Sequence, residues 1–114
     1  MSIATQKQSL LDAVGQLRVA EQLLLEQSRS MSDAAKLIQV TNEYNHLDSY
    51  LSQILHAQAL ADDQAFSAAA TALKNQVTSL ALDESAIKKI VADVATAGRI
   101  VGCIAKAITI IGTL

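Results

Sequence analysis

Apolar residues recur at alternating steps of three and four along most of this 114-residue chain, which is the 3.5-residue period of helices that pack side by side. The pattern is clearest in two apolar seams, which consist of Leu37, Val40, Tyr44, Leu47, Leu51 and Ile54, and of Ile87, Ile90, Val94, Ala97, Val101, Ile104, Ile108 and Ile111. Proline, which breaks a helix interior, does not occur in the sequence. The sequence therefore predicts an all-α fold.

Four helices are expected, at about 3–28, 33–60, 63–80 and 84–112, within one domain that spans residues 1–114. Asp33, Asp62 and Asp83 precede the last three, where a carboxylate accepts the free amide hydrogens of a helix start. Short connections imply an antiparallel bundle with coiled-coil-like packing. Because Ala and Leu residues surround Leu60, helices two and three could be continuous, which would leave three helices.

The seams also predict which side chains form the core. This set comprises Leu10, Leu17, Leu24, Leu37, Tyr44, Leu47, Leu51, Ile54, Phe66, Leu73, Ile90, Val94, Val101 and Ile104. Glu21 occupies a seam position between Leu17 and Leu24, where a buried polar residue fixes register or partner number. The alternative, which the pattern favours, is that Glu21 points to solvent and Leu25 turns inward.

Charge and cysteine content restrict the partners and the compartment. Nine basic and eleven acidic residues give a net charge of −2, so the chain has no overall field that attracts nucleic acid. Cys103 is the single cysteine and cannot form an intrachain disulfide, which favours the cytoplasm. The first residues do not resemble a cleavable signal peptide. Secretion by a route that needs no such peptide remains open.

One sequence motif has the spacing of a metal-binding site. Glu43 and His46 have the Glu-x-x-His spacing that places two ligands on one helix face in di-iron bundles. Those sites need the motif twice with two further carboxylates, and it occurs here once. We therefore interpret both residues as solvent-facing and expect no metal ion, no cofactor and no catalytic residue. The sequence also lacks a nucleophile motif and a phosphate-binding glycine loop, so an enzyme is not expected.

The final helix carries apolar side chains on nearly every side, which predicts burial from more than one direction. The partner interface is placed there, on Val91, Gly98, Ile100, Gly102, Cys103 and Ile110. Gly98 and Gly102 form a Gly-x-x-x-Gly pair, for which close packing between helices of the bundle is expected. Arg99 and Lys106 interrupt the apolar stretch, so a transmembrane helix is not expected.

The resulting functional hypothesis is a non-catalytic helical interaction module that acts as a homo-oligomer or adaptor. Its partner would be a second copy or another helical protein, and not nucleic acid. One alternative is a secreted or membrane-active protein whose basic, apolar segment 86–114 lies on anionic lipid. A second alternative is a metal-binding enzyme built in a helical bundle.

Overall fold

The computed structural model describes residues 2–114, which form five helical segments and no strand. These are α1 (Ile3–Ser30), α2 (Ala34–Ala59), α3 (Asp63–Asn75), α4 (Val77–Ile90) and α5 (Val94–Gly112). Only Gln76 separates α3 from α4, and the two together form the third arm of a four-arm bundle. The molecule is 47 Å long and 20 Å across. The predicted all-α bundle is confirmed.

Two side-chain contacts show that neighbouring arms run antiparallel. The Gln6 amide near the start of α1 donates a hydrogen bond of 3.1 Å to the Leu114 carbonyl, which follows α5. The Lys7 ammonium group donates to the Leu60 carbonyl at the end of α2 and lies 5.4 Å from the ring centre of Phe66 in α3. One end of the bundle thus holds the start of α1, the ends of α2 and α5, and the start of α3.

Aspartates cap three of the helices. Asp33 accepts from the amides of Ala35 and Lys36 at the start of α2, and Asp62 does the same at the start of α3. Since α2 ends at Ala59, helices two and three are separate. The expected boundary at residues 81–83 is wrong, because Asp83 lies inside α4. The last helix begins ten residues later, where Asp93 is its cap.

The third arm is interrupted at Gln76 because a tyrosine competes for a backbone carbonyl. The buried Tyr50 hydroxyl in α2 donates a 2.5 Å hydrogen bond to the Leu73 carbonyl. In an uninterrupted helix that carbonyl would accept from the amide four residues ahead, at Val77. The amide of Gln76 binds it instead at 3.1 Å. A side chain that forms a hydrogen bond with a backbone group of a helix, in place of the regular partner, is a known cause of such breaks.

One hydrophobic core runs through the bundle and contains residues of all five segments. Most of the predicted core is buried, and the largest fully buried side chains are Tyr50, Phe66, Leu10, Leu17, Leu24, Leu47, Ile54, Leu73, Leu80, Ile87, Ile100 and Ile104. Four core predictions are wrong: Leu37 is exposed, Tyr44 and Val101 are half-buried, and Val94 is 84% exposed. Leu37 and Val94 lie near the starts of α2 and α5, where the neighbouring arms end.

Candidate functional site

The structure places the residues of the predicted partner interface on two different faces of the last helix. Val91 and Ile100 are buried in the chain's own core, so their assignment to a partner interface is wrong. Gly98 is exposed, while Gly102, Cys103 and Ile110 are half-buried. The reason is the helix rotation: the buried stripe of α5 follows Ala97, Ile100, Ile104, Ala107 and Ile111, not the seam read from the sequence.

The opposite face of α5 is lined by small residues. At steps of three and four it presents Ala95, Gly98, Gly102, Ala105, Thr109 and Gly112, which we call the outer stripe. Five of the six are exposed and Gly102 is half-buried. The exposed side chains of Arg99 and Lys106 lie along one edge of the stripe. This arrangement leaves an α-helix backbone unusually open to a neighbour.

The two central glycines of the outer stripe are not needed for packing inside the chain. A Cβ atom added at Gly98 or at Gly102 would meet nothing within 4 Å in the part of the chain that the structure describes. The expectation that they allow close helix contact within the bundle is therefore wrong. Glycine in a helix interior costs about 0.5–1 kcal/mol relative to alanine, and no contact within the chain explains that cost here.

The expectation that the last helix does not cross a membrane stays a prediction. By length and composition alone, Val94–Gly112 is long and apolar enough to cross a membrane, despite Arg99 and Lys106. Only five of its nineteen residues are buried in the bundle. A core helix of a water-soluble bundle and a membrane helix share these properties.

A second candidate site lies between α2 and α4. Glu43, His46 and Asp83 each place a potential ligand atom within 4.8 Å of those of the other two. The Nδ1 atom of His46 is 2.8 Å from Oδ1 of Asp83 and 2.6 Å from Oδ2. Helix α2 supplies Glu43 and His46 from one face, since residues three apart are neighbours on a helix. The expectation of a solvent-facing Glu43 is wrong, because Glu43 is half-buried, whereas His46 remains open to solvent on one side.

Burial differs among the three side chains. Asp83 is only 5% exposed, Glu43 is half-buried, and the His46 side chain is 41% exposed. Burial, a hydrogen bond with Asp83 and the charge of Asp83 raise the pKa of Glu43 to about 8. The Glu43 carboxyl group therefore binds a proton more readily than an exposed one does. The Asp83 end of the cluster is buried, and the His46 end is open to solvent.

Asp83 was missed because it was read as a helix cap. Leu80, Asp83, Ile87 and Ile90 are spaced by three, four and three residues, and all four are buried in α4. The signal was thus present in the sequence as an acidic residue at a position where the seam calls for an apolar one. Only the position of α2 shows that this carboxylate meets Glu43 and His46.

Glu21 is a second buried acidic residue, and it lies between α1 and α2. It is only 8% exposed, so the favoured alternative of a solvent-facing Glu21 is wrong, and Leu25 is half-buried. Burial, the charge of Asp48 and a hydrogen bond with Asp48 together raise the pKa of Glu21 to about 7, and the positive charge of Arg18 acts in the opposite direction. The effect of Arg18 is the smallest of these, so Glu21 binds a proton more readily than an exposed carboxyl group does.

The outer stripe and the Glu43–His46–Asp83 cluster are therefore the two features from which function can be argued. The first is a surface lined by small residues, and the second is a group of three potential metal ligands. Neither gains support from a relative: the chain matches no protein-family model, no curated protein and no solved structure.

Proposed function

We propose that this chain is a non-catalytic helical interaction module that assembles by packing the outer stripe of α5 against the same stripe of a second copy. The observation that carries the proposal is the open space above Gly98 and Gly102. Two helices approach to a distance set by the side chains between them. A stripe of glycine, alanine and threonine permits an approach that larger residues prevent.

The extent of the surface supports a specific contact. From Ala95 to Gly112 the stripe is about 26 Å long at 1.5 Å per residue, which is more than half the length of the 47 Å bundle. The half-buried side chains of Val101 and Ile108 lie along the edge opposite Arg99 and Lys106 and offer apolar area to a partner, whereas Cys103 and Ile110 lie beyond those two basic residues. A two-fold contact would bury the same patch on both copies.

The test is the mass in solution, measured by sedimentation equilibrium at high micromolar concentration. We expect the unmodified chain to sediment as a dimer and Gly102→Leu to sediment as a single chain, because the added side chain separates the helices. Gly15→Leu is the matched control, since Gly15 in α1 has equally open space above it and lies outside the stripe. It should remain dimeric.

Two results would reject this function. One is a monomeric unmodified chain at that concentration, and the other is a Gly102→Leu variant that associates as strongly as Gly15→Leu. Circular dichroism of both variants verifies that they keep their helix content. A reducing compartment such as the cytoplasm is consistent with the proposal, because the half-buried Cys103 thiol is free.

A second candidate function is binding to a membrane through α5. It is favoured by the length and apolar composition of Val94–Gly112, together with Arg99 and Lys106, which would contact anionic headgroups. Co-sedimentation with anionic lipid vesicles tests it. Binding that Arg99→Gln and Lys106→Gln weaken together would favour the membrane. A dimer that does not bind vesicles would favour self-association.

A further inference from the structure

We propose that Glu43, His46 and Asp83 bind one divalent first-row transition-metal ion between α2 and α4. The three residues come from helices that are separated in sequence by α3, and yet their ligand atoms lie within 4.8 Å of one another. One imidazole nitrogen and two carboxylates form a mixed nitrogen and oxygen donor set. Zn²⁺, Mn²⁺ and Fe²⁺ bind such sets, and Zn²⁺ is the ion of the test below.

The strongest support is that buried carboxylate oxygens point into the cluster with few partners. Asp83 is 5% exposed, and the Nδ1 atom of His46 is the one side-chain partner of both its oxygens, at 2.8 Å from Oδ1 and 2.6 Å from Oδ2. Oε2 of Glu43 is buried and has no hydrogen-bond partner among residues 2–114. A buried polar atom without a partner costs free energy, and in a native protein it calls for an explanation. A cation that Asp83 and this oxygen both contact provides one.

The distances require only small side-chain movements. Two atoms that each lie about 2.1 Å from a tetrahedral Zn²⁺ ion are about 3.4 Å apart. The 2.8 Å separation of His46 Nδ1 and Asp83 Oδ1 must therefore lengthen, while all the ligand atoms already lie within 4.8 Å of one another. Rotation about the side-chain bonds of the half-exposed His46 and the half-buried Glu43 can supply this adjustment, whereas Asp83 is held in place by the core.

Solvent reaches the cluster from one side. Glu43 also lines a groove of about 470 Å³ between α2 and α4, whose other walls include Gln39, Asn42, Ser85 and Lys89. An ion held by three protein ligands needs a fourth, and the groove gives a water molecule or a small anion access to that position. The ion would link α2 to α4 and stabilise the folded chain, because binding to the folded state alone shifts the unfolding equilibrium.

The test is isothermal titration of the intact chain with Zn²⁺ at near-neutral pH, in a Cys103→Ser background so that the free thiol does not bind the ion. We expect one Zn²⁺ ion per chain and a higher melting temperature when Zn²⁺ is present. His46→Gln, Glu43→Gln and Asp83→Asn should each weaken binding by at least about 100-fold, since even the loss of an outer-shell partner costs 10–100-fold.

His56→Gln is the matched control, because His56 is an exposed histidine of the same helix and lies outside the cluster. It should bind Zn²⁺ like the background. If Asp83→Asn fails to fold, His46→Gln still tests the site, since its side chain is 41% exposed. The proposal is overturned if the background chain binds no Zn²⁺ at high micromolar concentration, or if His46→Gln and His56→Gln bind it equally. Either result leaves the self-association of α5 unaffected.

Discussion

Three acidic residues of this chain occupy places where a helical bundle ordinarily has apolar ones. Glu21 and Asp83 are buried, and Glu43 has one buried carboxylate oxygen. Burial of an ionised carboxyl is costly unless it is paired, so such a group takes up a proton or acquires a cation. Near Glu21 the like-charged Asp48 has a larger effect than Arg18, so Glu21 binds a proton more readily than usual. Glu43 and Asp83 also have His46, which adds a nitrogen ligand.

Glu21→Gln should make the stability of the fold less dependent on pH. The pKa of Glu21 rises from 4.5 to about 7 in the folded chain, so between these values the folded state holds a proton that the unfolded chain has released. Stability therefore falls as the pH rises through this window. Glutamine has no such proton, and above pH 7 the variant should be more stable than the unmodified chain by about 1–3 kcal/mol.

Urea unfolding at several pH values measures this difference. Glu43 also releases its proton near this range, with a pKa of about 8, but it does so in both proteins, and the difference between their profiles isolates Glu21. Two profiles that run parallel from pH 4 to pH 8 would contradict the raised pKa.

At the scale of elements, side chains decide where helices stop and how close they come. The third arm breaks at Gln76 because the Tyr50 hydroxyl binds the Leu73 carbonyl. The sequence offers no glycine or proline at that point. In α5, two glycines stand in a helix that has no need of them for its own packing. The first feature is a contact within the chain, and the second is a surface that we propose for contact with a second copy.

Tyr50→Phe should destabilise the fold by about 0.5–1.5 kcal/mol, the usual net value of one hydrogen bond. The phenyl ring keeps the packing, and only the hydroxyl that binds the Leu73 carbonyl is lost. Tyr44→Phe is the control, because Tyr44 is half-buried on the same helix. Denaturant midpoints measure both. Equal midpoints for the two variants would show that the hydrogen bond from the Tyr50 hydroxyl to the Leu73 carbonyl adds no net stability.

Gly98→Ala should stabilise the single chain by about 0.5–1 kcal/mol, because alanine favours a helix and its methyl group meets no described atom. Thermal unfolding at dilutions where single chains predominate measures this gain. Gly15→Ala, with equally open space in α1, gives the reference value. A loss of stability at position 98 alone would mean that the backbone of α5 already has a close neighbour.

At the scale of the whole molecule, four arms of unequal length surround one core, and the uneven ends explain which seam residues lie outside it. Leu47 lies midway along α2 and is fully buried, whereas Leu37 near its start is exposed. Both residues occupy equivalent positions in the apolar seam. The seam thus identifies the inward side of the helix, and the lengths of the neighbouring arms determine how much of that side is covered.

Leu47→Ala should therefore cost about 2–5 kcal/mol, as expected for a cavity in a packed core. Leu37→Ala, the same change in the same seam, should cost about 1 kcal/mol or less, because Leu37 is 36% exposed. Urea midpoints of the two variants test this pair. Similar losses at both positions would show that α2 is covered to its start.

The sequence alone determined the all-α bundle, because a sustained period of three and four in a chain without proline leaves few other ways to bury apolar side chains. It also predicted the caps at Asp33 and Asp62, whose carboxylates act within one turn of the residue that carries them. These features depend on contacts that are local in the chain.

The tertiary structure decided what depends on the rotation and packing of whole helices. It turned Ile100 inward and Gly98 outward, and it made Asp83 a neighbour of His46, 37 residues away. A rotation of a few tens of degrees exchanges buried and exposed positions on a helix, and the period of the sequence does not define the angle that closely. The two candidate sites lie on such positions, and only the packed bundle reveals them.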